Sequence, residues 1–215
     1  MKKFKQVYKD IRNKDLEPIK KDVIYNYIDK NNVLEKANET QEIKFDENAI
    51  NFVTVARLVP QKAIDRLVRV HKRIIDENIS HQMYVIGDGP EKEKIQDMII
   101  RNGVQATFHL LGKMENPYPY VKQADYFCLL SNFEGYGMVL EEAKILNKPI
   151  IITDTAAREA VEKYSKSMVL ENDEEKIYEG LKQIIEKHKQ EIVQESDEVY
   201  NNENIIEKFE KLLEK

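Results

Sequence analysis

Cysteine is all but missing from this 215-residue chain: Cys128 stands alone, inside an apolar run. One thiol cannot close a disulfide within the chain, which suits a reducing compartment. No activating neighbour surrounds it, so it reads as a small buried hydrophobe and not a nucleophile. The four histidines and one cysteine show no ligand spacing for zinc, so no metal is expected. No apolar run approaches the roughly 18 residues of a membrane span. Met1-Lys2-Lys3-Phe4-Lys5 has no apolar core behind it, unlike a secretory signal. These absences predict a cytoplasmic location. A basic excess is lacking too. Net charge is −5, which offers nucleic acid no basic face. Lys2-Lys3-Lys5 and Lys20-Lys21 read as solvated helix faces before they read as membrane contacts. There is no internal repeat and no low-complexity segment.

What is present is alternation. With 41% apolar and 34% charged residues, the chain has the composition of a soluble globular protein. A chain of this length can bury roughly 70% of its unfolded surface. Helical spacing of Phe4, Val7, Tyr8 and Ile11 predicts a helix over 2–13, ended by Asn13 and Pro18, and 22–26 reads as a short strand. Residues 30–48 are polar, without periodicity, and read as a surface connection. Strands are then predicted at 50–56, 83–86, 106–111, 126–130, 149–153 and 168–170. Helices are predicted at 63–75, 91–101, 119–123, 138–146, 156–163, 173–187 and 202–213. His71 falls near the apolar face of its helix and is expected to be packed, not catalytic. Such alternation implies an α/β fold, a mostly parallel sheet with helices on both faces. Sheets of this kind bind ligands at the carboxyl ends of their strands.

The richest of those ends is Ser131 to Ala143. A strand stops, a turn flanked by Gly135 and Gly137 follows, and a helix opens at Met138. The two glycines permit positive φ and close approach of a ligand. The first N–H groups of the helix, at Gly137, Met138 and Val139, suit an anion. Glu134 and Glu142, eight residues apart across the corner, are placed to face one cleft. Carboxylates beside an anion site make sense as acceptors for the hydroxyls of a ribose or sugar attached to a phosphate. Arg57 ends the first core strand and Lys62 opens the next helix. A planar guanidinium fork and an ammonium point charge at that spacing can converge on a diphosphate. Gly87-Asp88-Gly89-Pro90 lacks the third glycine of a dinucleotide fingerprint, since position 92 is Lys. It reads as a tight strand-to-helix turn, with Pro90 near the helix start. Tyr118 and Tyr120 read as braces for their short helix before they read as a stacking platform.

Glu134 and Glu142 match the E-x7-E motif, and the chain from about Asp22 resembles the donor-binding domain of retaining GT-B glycosyltransferases of family four. Asn116-Pro117-Tyr118-Pro119-Tyr120, Ala124-Asp125, Glu134-Gly135-Tyr136-Gly137, Glu142-Ala143 and Lys148-Pro149-Ile150-Ile151 follow in the family's order. The resemblance implies a Rossmann-like sheet forming one half of a GT-B fold. It implies that Arg57 and Lys62 hold the diphosphate of a nucleoside-diphosphate sugar, UDP-sugar favoured, that Glu134 holds sugar hydroxyls and that Glu142 holds the ribose. It places Gly87 and Gly89 beside the nucleotide, Lys113 and Met114 at the edge of the base, and Gly135 and Tyr136 among the donor contacts. The family usually has glycine where Ala56 and Ala63 stand. No Asp-x-Asp motif is present, so the metal-bridged site of the other large glycosyltransferase fold is unsupported, and no cofactor is implied. Residues 1–21 are then expected to be a remnant of an acceptor-binding domain and 22–215 the donor domain with C-terminal helices. Transfer to a hydroxyl, in bacterial surface-polysaccharide synthesis, would need that acceptor domain or a partner chain, which would also carry any contact with the inner membrane face. The alternatives at this stage are a non-catalytic partner subunit and a GT-B epimerase or phosphorylase.

Overall fold

Along the central strands, alternate residues go to opposite sides, and both sides are apolar. In the computed structural model, which describes residues 28–190, the strands are β1 (Asn51–Val55), β2 (Gln82–Ile86), β3 (Phe108–Gly112), β4 (Tyr126–Leu129), β5 (Ile150–Thr153) and β6 (Ser167–Leu170). Phe52, Met83, Val85, Cys128 and Ile151 enter one core. Val53, Tyr84, Ile86, Phe127, Ile150 and Ile152 enter the other. A sheet buried on both faces needs such near-continuous hydrophobic strands. Burial pushes the Cys128 thiol up to about 12, so it stays an inert hydrophobe.

The first core is covered by α2 (Ile64–Asp76), α3 (Lys92–Arg101) and α7 (residues 174–190). The second is covered by α1 (Lys30–Lys36), α4 (Tyr118–Gln123), α5 (Met138–Ile145) and α6 (Arg158–Val161). All strand pairs are parallel, in the order β3-β2-β1-β4-β5-β6. The chain therefore builds outward from β1 through β2 to β3, returns, and builds outward on the other side from β4. Loops leaving β1 and β4 diverge, and the crevice between them is where a doubly wound sheet binds its ligand.

Among the described residues the expected strands and helices recur with shifts of one to three residues, and α6 is shorter than the 156–163 predicted for it. The expectation for residues 30–48 fails. The 30–48 segment is not a bare surface connection. Asp29 caps α1 by accepting from the N–H groups of Asn31 and Asn32. Val33 and Ala37, four apart on one face, are buried. Phe45 is buried as well and stacks on Tyr84, with ring centroids 3.6 Å apart. Three buried apolar anchors hold the segment against the second core, while Leu34 and Ile43 stay exposed. The helix predicted over 2–13, the strand over 22–26 and the helix over 202–213 lie outside the described residues.

His71 is fully buried in α2, as a packed histidine. Its Nδ1 lies 2.8 Å from His81 Nε2, and its Nε2 lies 2.8 Å from Thr107 Oγ1. His81 Nδ1 lies 3.0 Å from the Ile79 carbonyl, which can only accept. With both rings neutral, one proton order fits: His81 donates to Ile79, His71 donates to His81, and Thr107 donates to His71. Both rings are neutral in this chain. Burial pulls His71 down to about 2 and His81 to about 4.

Candidate functional site

The loop leaving β1 is fastened to the loop leaving β2. Ala56 N–H donates to the Ile86 carbonyl, Leu58 N–H to Asp88, and Glu91 N–H to Leu58, all at 3.0–3.1 Å. So close an approach requires Gly87 and Gly89. A Cβ on Gly87 would lie 1.9 Å from the Ala56 carbonyl oxygen, and one on Gly89 would lie 2.3 Å from that of Leu58. The turn read as an incomplete dinucleotide signature is thus a backbone joint that sets the angle of the Arg57 loop. Arg57 is exposed there and enters no ion pair among the described residues. A 3-10 turn, Pro60–Lys62, follows. Ala63 then takes a left-handed conformation, φ 50°, to start α2.

The loop leaving β4 is pinned to that 3-10 turn. Asn132 donates its N–H to the Gln61 carbonyl at 2.9 Å and its side-chain amide to Pro60 at 3.1 Å. Gln61 donates its own amide to the Phe133 carbonyl at 3.0 Å. Asn172, just past β6, donates to the Asn132 carbonyl at 2.9 Å, and Ala157 N–H reaches the Glu134 carbonyl at 3.2 Å. Gln61, Asn132 and Asn172 belong to no motif in the sequence. Their only signal is position, since the two asparagines follow strand ends by two or three residues.

These joints bring Lys62 and Glu134 together across the crevice. Lys62 Nζ donates to Glu134 Oε2, and the two side chains are only 18% and 11% exposed. Glu134 Oε1 accepts from the Gly135 N–H at 3.2 Å. Gly137, φ 70°, is the N-cap of α5, and no side chain caps that helix. The first amide groups, through Val139, are left for another partner. A Cβ on Gly137 would stand 3.1 Å from Leu140 Cδ1 and 3.4 Å from Glu134 Cγ, so Glu134 runs along the helix start. Gly135 differs from expectation: its φ is not positive, and a Cβ there would meet nothing within 4 Å. The turn needs one left-handed residue and Gly137 supplies it.

Glu142 lies farther along α5 and faces α4. Its Oε1 accepts from the Tyr118 hydroxyl at 3.1 Å. Burial raises the Glu142 pKa and the Tyr118 bond opposes that rise. Burial, then the Glu142 charge, push the Tyr118 phenol up to about 12. Tyr118 is thus the holder of a carboxylate. Tyr120 is buried, with its ring centroid 6.1 Å from that of Phe45. The Tyr136 hydroxyl donates to Glu141 at 2.7 Å. Lys113 is exposed just past β3, while Met114 packs against the second core. A cavity of about 620 Å³ opens at the opposite, amino end of the sheet, lined by Phe45, Asn51, Asp125 and His188 among others. It shares no residue with these loops.

Comparison with known proteins agrees with this geometry. A family model described as glycosyl transferases group 1 matches residues 35–202. The chain is 29% identical, over 178 residues, to a Campylobacter jejuni N-acetylgalactosamine-N,N'-diacetylbacillosaminyl-diphospho-undecaprenol 4-alpha-N-acetylgalactosaminyltransferase, covering 81% of this chain and 47% of that protein. It is 26% identical, over 165 residues, to a Staphylococcus aureus poly(ribitol-phosphate) alpha-N-acetylglucosaminyltransferase, covering 75% and 33%. Among solved structures it superposes, with a TM-score of 0.64 and 20% identity, on a variant of S. aureus TarM crystallised with fondaparinux, alpha-GlcNAc-glycerol and UDP, covering 85% of this chain and 35% of that one. The chain thus spans between a third and a half of these proteins. Its sheet is one Rossmann-like half of the GT-B architecture.

Proposed function

We propose, from the premise that this chain belongs to the glycosyl transferases group 1 family, that it is the donor-binding half of a retaining glycosyltransferase. The donor is a nucleoside-diphosphate sugar, UDP-sugar first, and the acceptor is a hydroxyl. The observation that carries this reading is the meeting of Lys62 and Glu134 across the β1–β4 crevice, with exposed Arg57 in the β1 loop and the uncapped start of α5 in the β4 loop. Cations and free amides on the two loops suit a diphosphate, and the carboxylate between them suits sugar hydroxyls.

In this reading Arg57, Lys62 and the amides of Gly137, Met138 and Val139 stabilise the negative charge that grows on the departing diphosphate. Glu134 orients the sugar, and Glu142, held by Tyr118, takes the ribose hydroxyls. Backbone groups at Lys113 and Met114 meet the base, with no metal or cofactor. None of these residues is placed as a base, which fits a reaction in which the leaving phosphate accepts the proton of the acceptor hydroxyl. The relatives' greater length, together with the single sheet among the described residues, supports an acceptor-binding half outside this sheet. The described helices include none long and apolar enough to cross a membrane. Work on surface polysaccharide at the cytoplasmic face of the inner membrane is the setting proposed, by analogy with the relatives named above.

Calorimetric titration with UDP, GDP, ADP and CMP tests the reading. UDP is expected to bind, and Arg57→Ala and Glu142→Ala are each expected to weaken it by about tenfold or more, the scale of one charged hydrogen bond. Failure of every nucleotide to bind at millimolar concentration counts against it.

A further inference from the structure

Two side chains that the donor reading assigns to different parts of one ligand are bonded to each other. Lys62 is assigned to phosphate and Glu134 to sugar, yet the Lys62 ammonium donates to the Glu134 carboxylate. Both are largely shielded from water, at 18% and 11% exposed, so neither is easily left alone. Removing one partner of a shielded pair strands the other charge. Arg57, by contrast, is exposed without an ion pair among the described residues and is available to any phosphate.

A nucleoside diphosphate can recruit Lys62 only by drawing it from Glu134. With its ribose hydroxyls assigned to Glu142, it brings no hydrogen-bond donor to the carboxylate that is left. Glu134 keeps the single Gly135 amide at 3.2 Å and loses its cation. A nucleoside-diphosphate sugar brings both replacements. Its phosphate takes the place of the carboxylate at Lys62, and its sugar hydroxyls take the place of the ammonium at Glu134. We propose that Lys62 and Glu134 form an exchange pair that sets the site's preference for the sugar-bearing donor over the bare nucleoside diphosphate. Once the sugar has left, Glu134 reclaims Lys62, and the spent diphosphate loses one of its cations. The pair therefore serves specificity and product release together, and it rests on the donor reading above.

The test is a double-mutant cycle on UDP affinity, using Glu134→Gln and Lys62→Met in this chain. Thermal unfolding confirms that each variant is folded. Glu134→Gln frees Lys62 and is expected to bind UDP several-fold tighter than the parent. A merely structural role for Glu134 predicts the opposite sign. Lys62→Met is expected to bind UDP more weakly, and Glu134→Gln is expected to add nothing in that background. Glu134→Ala, which removes the carboxylate altogether, moves UDP affinity in the same direction as Glu134→Gln and serves if the glutamine variant does not fold. Unchanged or weaker UDP binding by both Glu134 variants, with the parent binding UDP, overturns the exchange and leaves the donor reading standing. A gain that persists with Lys62→Met is plain relief of charge repulsion and also overturns it. Absence of UDP binding in parent and variants alike removes the donor reading itself.

Discussion

Gly87 and Ala56 approach so closely that a β-carbon on the glycine would lie 1.9 Å from the alanine carbonyl oxygen. The obstacle is backbone, which cannot swing aside, and φ at Gly87 is +149°, a conformation L side chains avoid. Gly87→Ala is therefore expected to destabilise the chain by about 3 kcal/mol or more, toward the upper end for overpacking. Urea denaturation measures it. A loss below about 1 kcal/mol would mean that the two loops separate freely and do not fix the Arg57 loop.

Ala63 holds φ 50° at the start of α2, where the related family usually has glycine. The left-handed region costs an L residue roughly 1–2 kcal/mol. Ala63→Gly removes that strain, loses a buried methyl, worth about 0.8 kcal/mol, and gains the entropy cost of glycine. The expected net change is within about 1 kcal/mol of zero. Ala63→Val adds a branched side chain to the same backbone and is expected to lose about 2 kcal/mol or more. Equal melting temperatures for the two variants would contradict this account.

The neutral chain of His71, His81 and Thr107 makes the fold acid-sensitive. The folded pKa values, about 2 and 4, lie below the ordinary 6.5. The unfolded chain therefore binds more protons than the folded one below pH 6.5, so stability rises with pH there. It is complete above about pH 6.5 and declines as pH falls toward 4. Between pH 7 and 5 a loss of about 4 kcal/mol, roughly half from each ring, is expected from denaturant titrations. His81→Gln, which gains no proton, should flatten that slope. An unaltered slope would place the acid sensitivity elsewhere.

Tyr118→Phe removes the hydroxyl that Glu142 accepts at 3.1 Å. A half-buried carboxylate without its donor costs about 1–3 kcal/mol. The Glu142 pKa, already raised by burial, is expected to rise further. UDP affinity should fall several-fold and fall more steeply at acid pH than in the parent. Unchanged affinity at every pH would detach Tyr118 from the site.

Much of this molecule was legible in its apolar periodicity. Runs such as Tyr126 to Leu130 and Ile150 to Ile152 read as buried strands, because a sheet covered on both faces favours near-continuous apolar positions along them. The glutamate corner was legible because glycine, carboxylate and helix start follow one another in sequence. Less local features were hidden. The 30–48 segment buries only Val33, Ala37 and Phe45 as apolar anchors, too few to form a pattern. The Lys62–Glu134 pair joins residues 72 apart, and Glu142 meets Tyr118 from 24 residues away. Such partners follow from strand order, which periodicity does not encode. Gly135 misled because glycine signals freedom whether or not the backbone uses it.

The strand order also has a consequence for the route by which the chain folds. β1 meets β2 across about thirty residues, as in Asn51 opposite Gln82, but it meets β4 across about seventy, as in Phe52 opposite Tyr126. Long-range parallel pairing is slow, since the loop must be closed before any contact rewards it. Each half of the sheet can therefore form around its own short crossovers before the two are joined. The seam between β1 and β4 is then the late event in assembly. The loops that carry Lys62 and Glu134 acquire their mutual geometry only at that step, so a ligand seated across them fastens the joint that the chain is slowest to make.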